Sequence, residues 1–335
     1  MRLIRRLLVA VVLVLLLATV VYFCGPEVKR PNLTMELPKV ATDLNTLQHN
    51  LYGREEANTK IKADNDSRII WYDSLPTVTE YSILYLHGWS ASHEEGAPLH
   101  RELGQRYGAN VYLPRLKGHG LEEDNAMLDL TAEDYFESAK EALAIAKQIG
   151  KKVIIMGTST GGTLALYLAH ANKDIAALLL YSPNVEIYDP TAPLLSGPWG
   201  LQIVRTVMDG DFYLSEADSL KKRYWTTRYR VEALVQLQAL LDETMEKEVF
   251  QQVHQPTFLG YYYKNEEEQD RVVSVPAMLD MYDQLGVKDS LKRKVAFPNV
   301  GNHVMTSYIT SKDIESVKTE TIRFLENVIK LQPLE

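Results

Sequence analysis

Two patterns of apolar residues alternate along the chain after about residue 60. Short apolar runs with little polar alternation predict strands that are buried on both faces. These runs lie at 68–72, 82–86, 110–113, 153–156, 177–181, 257–262 and 294–297. Between them, apolar residues recur at helical spacing in the segments 95–107, 131–149, 161–171, 276–285 and 311–331. The alternation predicts the α/β class, with a mostly parallel sheet of about eight strands and helices on both faces.

One long region interrupts this alternation. From Pro183 to Gln255 the sequence contains no convincing strand pattern. A loop rich in proline and glycine is followed by a helical stripe formed by Val231, Leu234, Leu237 and Leu241. We therefore predict a helical insertion at about 184–255 that covers the sheet as a lid.

The N-terminus has a different pattern. Residues 7–24 carry no charge and are mostly Leu and Val, and three arginines precede them. As a helix this stretch would be about 27 Å long, close to the roughly 30 Å of a bilayer core. A cleaved signal has a shorter apolar region and small residues at its cleavage site, whereas Phe23 is bulky. We therefore predict an uncleaved transmembrane signal anchor at 1–24. The alternatives are a lipoprotein acylated at Cys24, which needs a small residue before the cysteine, and a buried core helix.

The charge distribution predicts how this anchor is oriented. Positive residues are concentrated before the apolar stretch, so the N-terminus is expected in the cytoplasm and the main domain outside it. The whole chain has a net charge of −8, and beyond residue 30 it carries 43 acidic and 31 basic residues. This balance argues against a general nucleic-acid binder and predicts weak attraction to anionic lipids. We expect the helix alone to tether the protein.

The rest of the chain divides into two further parts. Residues 25–60 contain three prolines and little periodicity, so they are expected to form a linker and a loosely packed leading segment. Residues 61–335 are expected to form one domain that includes the lid. The single cysteine, Cys24, excludes an intramolecular disulfide and a cysteine-based zinc site.

The clearest chemical motif lies where the strand at 153–156 meets the following helix. Residues 157–161 read Gly-Thr-Ser-Thr-Gly, a Gly-x-Ser-x-Gly sequence centred on Ser159. A sharp turn between strand and helix would project the serine hydroxyl above the sheet, and glycines on both sides would leave room for the turn. The start of the helix also favours negative charge that develops nearby. We therefore predict Ser159 as a nucleophile; a glycine-rich turn that only allows tight packing is the alternative.

A serine nucleophile needs a base, and the base needs a carboxylate that orients it. His303 follows the last predicted strand and precedes the final helix, so it is expected on a loop at the carboxyl edge of the sheet. Asp270 follows the strand at 257–262 and begins an Asp-x-x-Val segment that ends at Val273. We predict His303 as the base and Asp270 as the acid, with Glu268 as the second choice for the acid. The other histidines are expected in structural or surface positions.

The oxyanion of a tetrahedral intermediate needs donors, usually backbone N–H groups. The residue after the nucleophile, Thr160, is one expected donor, and Trp89 in the loop after the second predicted strand is the other. In the insertion, the apolar residues Trp199, Phe212 and Tyr213 predict substrate binding at an apolar entrance. Packing of the lid onto the core explains these three side chains nearly as well.

Together these motifs resemble the α/β-hydrolase superfamily, in which nucleophile, acid and base follow the chain order of Ser159, Asp270 and His303. The His-Gly-Trp loop at 87–89 resembles its oxyanion loop, and Gly-His-Gly at 118–120 resembles a segment after the next strand. The similarity is to carboxylesterases and monoacylglycerol-lipase-like enzymes, which are grouped with serine aminopeptidase-like hydrolases. The resemblance implies an acyl-enzyme mechanism without a metal or a cofactor.

We therefore expect a membrane-anchored serine esterase whose substrate is a small-molecule ester with an apolar acyl group. Because one fold supports many reactions, amide or peptide, thioester and carbon–carbon bond hydrolysis stay open as alternatives. A remote alternative is a membrane-anchored binding protein that has lost catalysis. The residues do not determine the physiological substrate or the oligomeric state.

Overall fold

The computed structural model describes residues 2–334, apart from the side chain of Leu3. The strands are β1 (Arg68–Ile70), β2 (Thr79–Leu86), β3 (Asn110–Leu113), β4 (Gly150–Thr158), β5 (Ile175–Tyr181), β6 (Phe212–Leu214), β7 (Arg228–Arg230), β8 (Thr257–Tyr261) and β9 (Lys292–Ala296). The helices are α1 (Arg2–Phe23), α2 (Leu44–Glu56), α3 (Leu99–Tyr107), α4 (Ala132–Ile149), α5 (Thr160–Ala171), α6 (Gly200–Val207), α7 (Ser219–Tyr224), α8 (Glu232–Thr244), α9 (Lys247–Gln252), α10 (Val275–Gln284) and α11 (Ile314–Phe324).

Seven strands form the main sheet, in the order β1-β3-β2-β4-β5-β8-β9. Only β1 runs antiparallel to its neighbour, and all other pairs in this sheet are parallel. Each of the seven predicted apolar runs corresponds to one of these strands. The predicted α/β class with a mostly parallel sheet is confirmed, although the main sheet has seven strands where about eight are expected from the sequence pattern.

The central strands are buried on both faces, which explains their lack of polar alternation. In β2, Leu84 and Leu86 point into one apolar cluster, whereas Ile83 and Tyr85 point into a second cluster on the other side. Helices α4 and α5 contribute to the first cluster and α3 and α11 to the second. The rigid core therefore holds the carboxyl ends of the parallel strands in a fixed arrangement.

Two elements occur where the sequence analysis does not predict them. Residues 44–56 form α2, which starts at the cap Asp43 and buries Leu47 and Leu51. The segment is therefore packed onto the core and not loosely attached. Within the lid, β6 and β7 form an antiparallel hairpin. Strands of three residues are too short to produce a visible period of two.

The remainder of the lid, residues 184–255, is helical as predicted, with α6, α7, α8 and α9 in sequence. The predicted stripe on α8 faces inwards, since Val231, Leu237 and Leu241 are buried. At the other end of the chain, α1 contains a 20-residue span from Ile4 to Phe23 with a mean hydropathy of 2.7, and none of it is buried. This helix is long and apolar enough to cross a membrane.

Candidate active site

The junction between β4 and α5 is a strained turn centred on Ser159. This residue has φ 53° and ψ −123°, an unfavourable backbone conformation for a residue with a side chain. A Cβ at Gly161 would lie 1.9 Å from the carbonyl oxygen of Leu86, and a Cβ at Gly157 would lie 2.6 Å from the carbonyl oxygen of Gly161. Both glycines are therefore required for the close approach of β4, α5 and the end of β2. The turn places Ser159 at the carboxyl edge of the sheet.

His303 and Asp270 come together at the same edge. The imidazole Nδ1 of His303 lies 2.6 Å from Oδ2 of Asp270. The other oxygen, Oδ1 of Asp270, accepts hydrogen bonds from the backbone N–H groups of Val272 and Val273 at 2.9 and 3.1 Å. Because the carboxylate occupies Nδ1, the free nitrogen is Nε2, which has no hydrogen-bond partner among the described residues. His303 and Ser159 line the same cavity.

Burial and pairing act in opposite directions on these two groups. Burial alone would raise the pKa of the Asp270 carboxyl, but the His303 imidazole and the two backbone N–H groups outweigh it and hold that pKa below its usual value. Burial alone would lower the pKa of His303, but the charge and hydrogen bond of Asp270 raise it above 6.5. The pair therefore favours an ionised Asp270 beside an imidazole that accepts a proton readily.

The second choice for the acid, Glu268, lies elsewhere. Its carboxylate is exposed and accepts hydrogen bonds from Nζ of Lys264 at 2.9 Å. His87 has a structural position, as the sequence predicts. It is fully buried, and its Nε2 accepts the backbone N–H of Leu116 at 3.1 Å. This bond ties the loop after β2 to the loop after β3.

Both predicted oxyanion donors border the cavity. Trp89 follows β2, and Thr160 is the first residue of α5. Within residues 2–334, no acceptor is found for the backbone N–H of either residue. A Cβ at Gly88 would lie 3.0 Å from the Cβ of Ser159, so the loop that carries Trp89 passes directly beside the serine. The indole of Trp89 packs edge-on against His119 and Tyr135.

Sequence reasoning does not identify Glu95, although it borders the same cavity. This carboxyl is 2% exposed, and its Oε2 accepts the backbone N–H of Gly88 at 2.5 Å and the hydroxyl of Tyr85 at 3.0 Å. The Tyr85 hydroxyl also lies 3.2 Å from Oγ1 of Thr158, the residue before the serine. Thr306, three residues after His303, donates to the carbonyl of Glu95 at 2.8 Å. One hydrogen-bond network thus joins the loop after β2, the end of β4 and the loop after β9.

Burial raises the pKa of the Glu95 carboxyl to about 7, because two hydrogen bonds and the charge of His303 offset the loss of hydration only in part. Glu95 in turn helps to raise the pKa of His303. Its only sequence signal is a Glu eight residues after His87, at the start of a segment that the apolar pattern assigns to a helix. The fold buries this carboxyl at the edge of the cavity.

A cavity of about 960 Å³ lies between the carboxyl edge of the sheet and the lid. Its lining includes Ser159 and His303. It also includes apolar lid side chains, namely Leu194, Leu195, Ile203, Val204, Val207, Met208, Leu234 and Leu237. This size and composition are typical of sites for small apolar ligands.

Of the three lid residues predicted to bind substrate, only Tyr213 lines this cavity. Trp199 lies outside the lining, because its indole Nε1 donates to the carbonyl of Val21 in α1 at 3.1 Å. Phe212 also lies outside, because its ring packs under the guanidinium of Arg228 at 3.5 Å. The apolar wall is formed instead by aliphatic residues of α6 and α8.

Asp64, His93 and Glu94 form a group whose possible ligand atoms lie within 4.8 Å of one another. The charges in this group are already balanced. Asp64 accepts hydrogen bonds from Arg68 and Tyr224, both at 2.7 Å, and Glu94 pairs with Arg101. Because guanidinium groups occupy the carboxylates, this arrangement suits an ion-pair network that fixes the lid to the sheet better than it suits a metal ion.

Comparison with known proteins agrees with this architecture. A model of the alpha/beta hydrolase family matches residues 83–308, which is more than half of the chain. A thermostable monoacylglycerol lipase from Bacillus sp. (strain H-257) is 34% identical over 115 residues. That match covers 34% of this chain and 45% of the lipase, so the chain spans under half the length of this relative.

Solved structures of low sequence identity share the fold. One of the metagenome-derived lipolytic enzymes LipS and LipT has a TM-score of 0.62 at 17% identity, over 80% of this chain and 100% of that one. The monoacylglycerol lipase of Paleococcus ferrophilus has a TM-score of 0.57 at 14% identity, over 79% and 98%. Est1E from Butyrivibrio proteoclasticus, with ferulic acid bound, has a TM-score of 0.54 at 15% identity, over 82% and 100%. The match over residues 83–308, together with this shared fold, shows that the chain belongs to the alpha/beta hydrolase family.

Proposed function

We propose that this protein is a membrane-tethered serine hydrolase that cleaves carboxylic esters with an apolar acyl group. One observation carries the proposal. The strained Ser159 borders the same cavity as Nε2 of His303, whose Nδ1 is held at 2.6 Å by the buried carboxylate of Asp270. A nucleophile, a base and an acid that orients the base are the three groups that acyl transfer through serine requires.

In the acylation step, Oγ of Ser159 attacks the ester carbonyl carbon while Nε2 of His303 takes the hydroxyl proton. The negative charge that forms on the carbonyl oxygen is stabilised by the backbone N–H groups of Trp89 and Thr160, and by the start of α5. The imidazolium stays paired with ionised Asp270. It then donates its proton to the leaving alkoxide, which departs as the alcohol and leaves an ester on Ser159.

Deacylation repeats these steps with water. His303 removes a proton from a water molecule, which attacks the acyl carbonyl, and the same two N–H groups stabilise the second oxyanion. Collapse of this intermediate breaks the bond to Oγ of Ser159, which regains its proton from His303, and releases the carboxylic acid.

The cavity favours an apolar acyl group over an aminoacyl group. A site for a free amine would need an unpaired carboxylate in its lining. Among the lining residues, Asp270 is paired with His303, and Glu95 accepts two hydrogen bonds. Asp189 caps its own turn by accepting from the backbone N–H and hydroxyl of Thr191. The aliphatic wall of α6 and α8 offers only apolar contacts to a substrate.

The tether is α1. Its apolar span of 20 residues would be about 30 Å long, which matches a bilayer core. Positive residues before this span favour an N-terminus in the cytoplasm, with the hydrolase domain on the other side of the membrane.

A paired activity screen tests the proposal. The full-length protein in detergent is assayed against p-nitrophenyl esters of increasing chain length and against aminoacyl p-nitroanilides, with Ser159→Ala as the control. We expect ester hydrolysis that Ser159→Ala abolishes, and covalent labelling by a fluorophosphonate probe in the wild type only. Hydrolysis of the amides in preference to the esters would exclude the proposed bond type. Folded wild-type protein without labelling would exclude a serine mechanism.

A further inference from the structure

The end of α1 is fixed to the lid and does not hang free. The indole Nε1 of Trp199 donates to the carbonyl of Val21, in the last turn of α1, at 3.1 Å. The backbone N–H of Trp199 donates to the carbonyl of Pro26 at 2.9 Å. Between these two bonds lies Gly25, where a Cβ would come within 2.1 Å of the same indole nitrogen. Only glycine at this position lets the ring lie against the chain.

Trp199 also determines how the lid begins. It has φ 64° and ψ 13°, a left-handed conformation that bulky residues rarely adopt, and it directly precedes α6. Such strain persists where surrounding contacts hold the residue in place, and here both nitrogens of Trp199 bond to the chain that leaves α1. The direction of α6 is therefore tied to the end of the membrane helix.

Helix α6 forms part of the cavity wall. Ile203, Val204 and Val207 line the cavity, and Val28 from the segment after α1 packs in the same apolar cluster as Val204. An uninterrupted series of contacts thus runs from the membrane helix through Trp199 to the side chains that would hold an acyl group.

The same part of the lid exposes large apolar side chains, which we call the lid face: Leu194, Val207, Met208 and Leu214. The first three also line the cavity, whereas Leu214 does not. Val207 is 72% exposed and Leu214 is 68% exposed. Helix α6 is only about 12 Å long, so Val207 cannot lie far from Trp199. The β6–β7 hairpin that carries Leu214 is held beside α6, because Arg205 pairs with Asp211 at 2.8 Å.

A helix that spans a bilayer ends at the membrane surface. Trp199, which binds the last turn of α1, would then lie at the interface between lipid and water, where tryptophan is enriched in membrane proteins. The lid face would lie within the same interfacial layer. Because the chain beyond residue 30 has 43 acidic and 31 basic residues, charge would not attract it to the surface, and apolar contact is the interaction that remains.

We propose that the lid face rests on the bilayer that holds α1, so that the cavity takes acyl amphiphiles directly from the lipid. This inference rests on the proposed function, since it assumes both ester hydrolysis and the membrane tether. The occupant of the lid face is a lipid bilayer surface, and its contact is apolar and not electrostatic.

Lipid contact can be measured without activity. In full-length protein that carries Cys24→Ser, an environment-sensitive fluorophore is placed on Leu214→Cys or, as a control, on Leu75→Cys. Leu75 is 69% exposed but lies in the loop between β1 and β2, outside the lid. In phosphatidylcholine vesicles with brominated lipid, we expect quenching at position 214 and little at position 75. Equal quenching at both positions would overturn the inference.

The activity arm compares two substrates in the same vesicles. We expect Leu214→Asp to lower hydrolysis of monooleoylglycerol in the bilayer by roughly fivefold or more, with soluble p-nitrophenyl butyrate hydrolysed at the wild-type rate. Leu75→Asp is the matched control, because Leu75 is equally exposed but lies outside the lid. Parallel loss on both substrates, or no loss on the bilayer substrate, would overturn the inference.

These results separate the inference from the proposals beneath it. Wild-type protein that hydrolyses neither substrate, yet shows quenching at position 214, would refute the esterase proposal and leave the lipid contact supported. Protein that is not retained in the vesicles would refute the tether, and with it the lid contact. Replacing a third of the phosphatidylcholine by phosphatidylserine tests the apolar nature of the contact, since a strong rise in quenching would show electrostatic attraction instead.

Discussion

Two buried carboxyl groups border the cavity, and their surroundings shift their pKa values in opposite directions. Asp270 is buried, but a histidine and two backbone N–H groups keep its pKa low. Glu95 is equally buried, but its hydrogen bonds leave its pKa near 7. Such a pair of environments assigns different tasks to the same chemical group. Asp270 acts as a permanent charge beside His303, whereas Glu95 is a proton-sensitive support of the loop that carries Trp89.

The first prediction concerns Asp270→Asn. The amide keeps the shape of the carboxylate but cannot stabilise the imidazolium, so we expect kcat to fall by roughly 10²–10⁴-fold with a small change in KM. Asp270 also raises the pKa of His303, so the remaining activity should have its acid limb at lower pH than the wild type. A pH series of kcat/KM on a soluble p-nitrophenyl ester measures both effects. Activity within threefold of the wild type would contradict the proposed role.

The second prediction concerns the charge of Glu95. Glu95→Gln keeps an acceptor for the N–H of Gly88 but removes the negative charge that helps to raise the pKa of His303. We expect the acid limb of kcat/KM to move to lower pH, with the plateau within a few-fold of the wild type. Glu95→Ala also removes the acceptor, and misplacement of the oxyanion loop should lower the plateau by roughly tenfold or more. Identical behaviour of the two variants would exclude positioning through this bond.

The third prediction is a stability effect of the same group. The folded-state pKa of Glu95 is about 7, above the ordinary 4.5, so the folded protein binds the proton more tightly than the unfolded chain does. The stability due to this group is complete below pH 4.5 and is lost as the pH rises through 7. Between pH 5 and pH 9, the unfolding free energy of the wild type should fall by about 2 kcal/mol more than that of Glu95→Gln. Parallel pH curves from urea unfolding would contradict this.

The residues that the sequence identifies are those with a local signature. Ser159 lies in a five-residue motif at a strand–helix junction, and Asp270 and His303 follow strands that the apolar pattern predicts. Glu95 has no such signature, because its burial depends on Tyr85, Gly88 and Thr306 meeting in three dimensions. The contact between Trp199 and α1 has no sequence signature either, since its partner Val21 lies 178 residues away in the chain.

At the scale of elements, the turn between β4 and α5 is the most constrained part of the fold. We expect Gly161→Ala to prevent stable folding or to abolish activity, because its Cβ would lie 1.9 Å from the backbone oxygen of Leu86. The control is Gly53→Ala in α2, where a Cβ would meet nothing within 4 Å. It should raise the unfolding free energy by about 0.5–1 kcal/mol through helix propensity. Thermal unfolding and fluorophosphonate labelling measure the two variants, and a folded, labelled Gly161→Ala would contradict the argument.

Elements differ in how well the apolar pattern of the sequence predicts them. Long buried strands and helices give clear periods, so each main-sheet strand corresponds to a predicted run. Residues 33–37 give a weaker signal, because only Leu33, Met35 and Leu37 alternate with polar neighbours. The weak pattern predicts a linker for this stretch. In the structure these three side chains pack against the main core cluster without forming a regular strand.

Over the whole molecule, the segment between α1 and α2, residues 24–43, is bound to the rest of the protein, and we call it the strap. Arg30 pairs with Glu243 of α8, and the backbone N–H of Asn32 donates to Glu133 of α4 at 3.1 Å. Nζ of Lys140, a residue that is 1% exposed, donates to Oγ1 of Thr34 and to the carbonyl of Glu36. The strap is therefore held against the lid and the core before it reaches α2, which limits how far the domain can tilt relative to α1.

This arrangement predicts that two truncations differ sharply. Deletion of residues 2–24 removes only α1 and should give a soluble domain that unfolds cooperatively. Deletion of residues 2–40 also removes the half-buried side chains of Leu33, Met35 and Leu37. At about 1 kcal/mol for each, the unfolding free energy should fall by roughly 3 kcal/mol, and Tm by about 5 °C. Calorimetry or circular dichroism of the two soluble proteins measures this difference.

Point variants of the protein that lacks residues 2–24 test whether side-chain packing of the strap stabilises the domain. Met35→Ser removes an inward apolar side chain and should lower the unfolding free energy by about 1 kcal/mol. Lys39→Ser changes an exposed neighbour and should leave it within about 0.5 kcal/mol of the parent protein. If deletion of residues 2–40 and Met35→Ser both left Tm unchanged, the segment would be a passive linker and the domain free to tilt. In the proposed membrane arrangement, tilting would lift the lid face from the lipid, so the strap and α1 together would orient the cavity towards the bilayer.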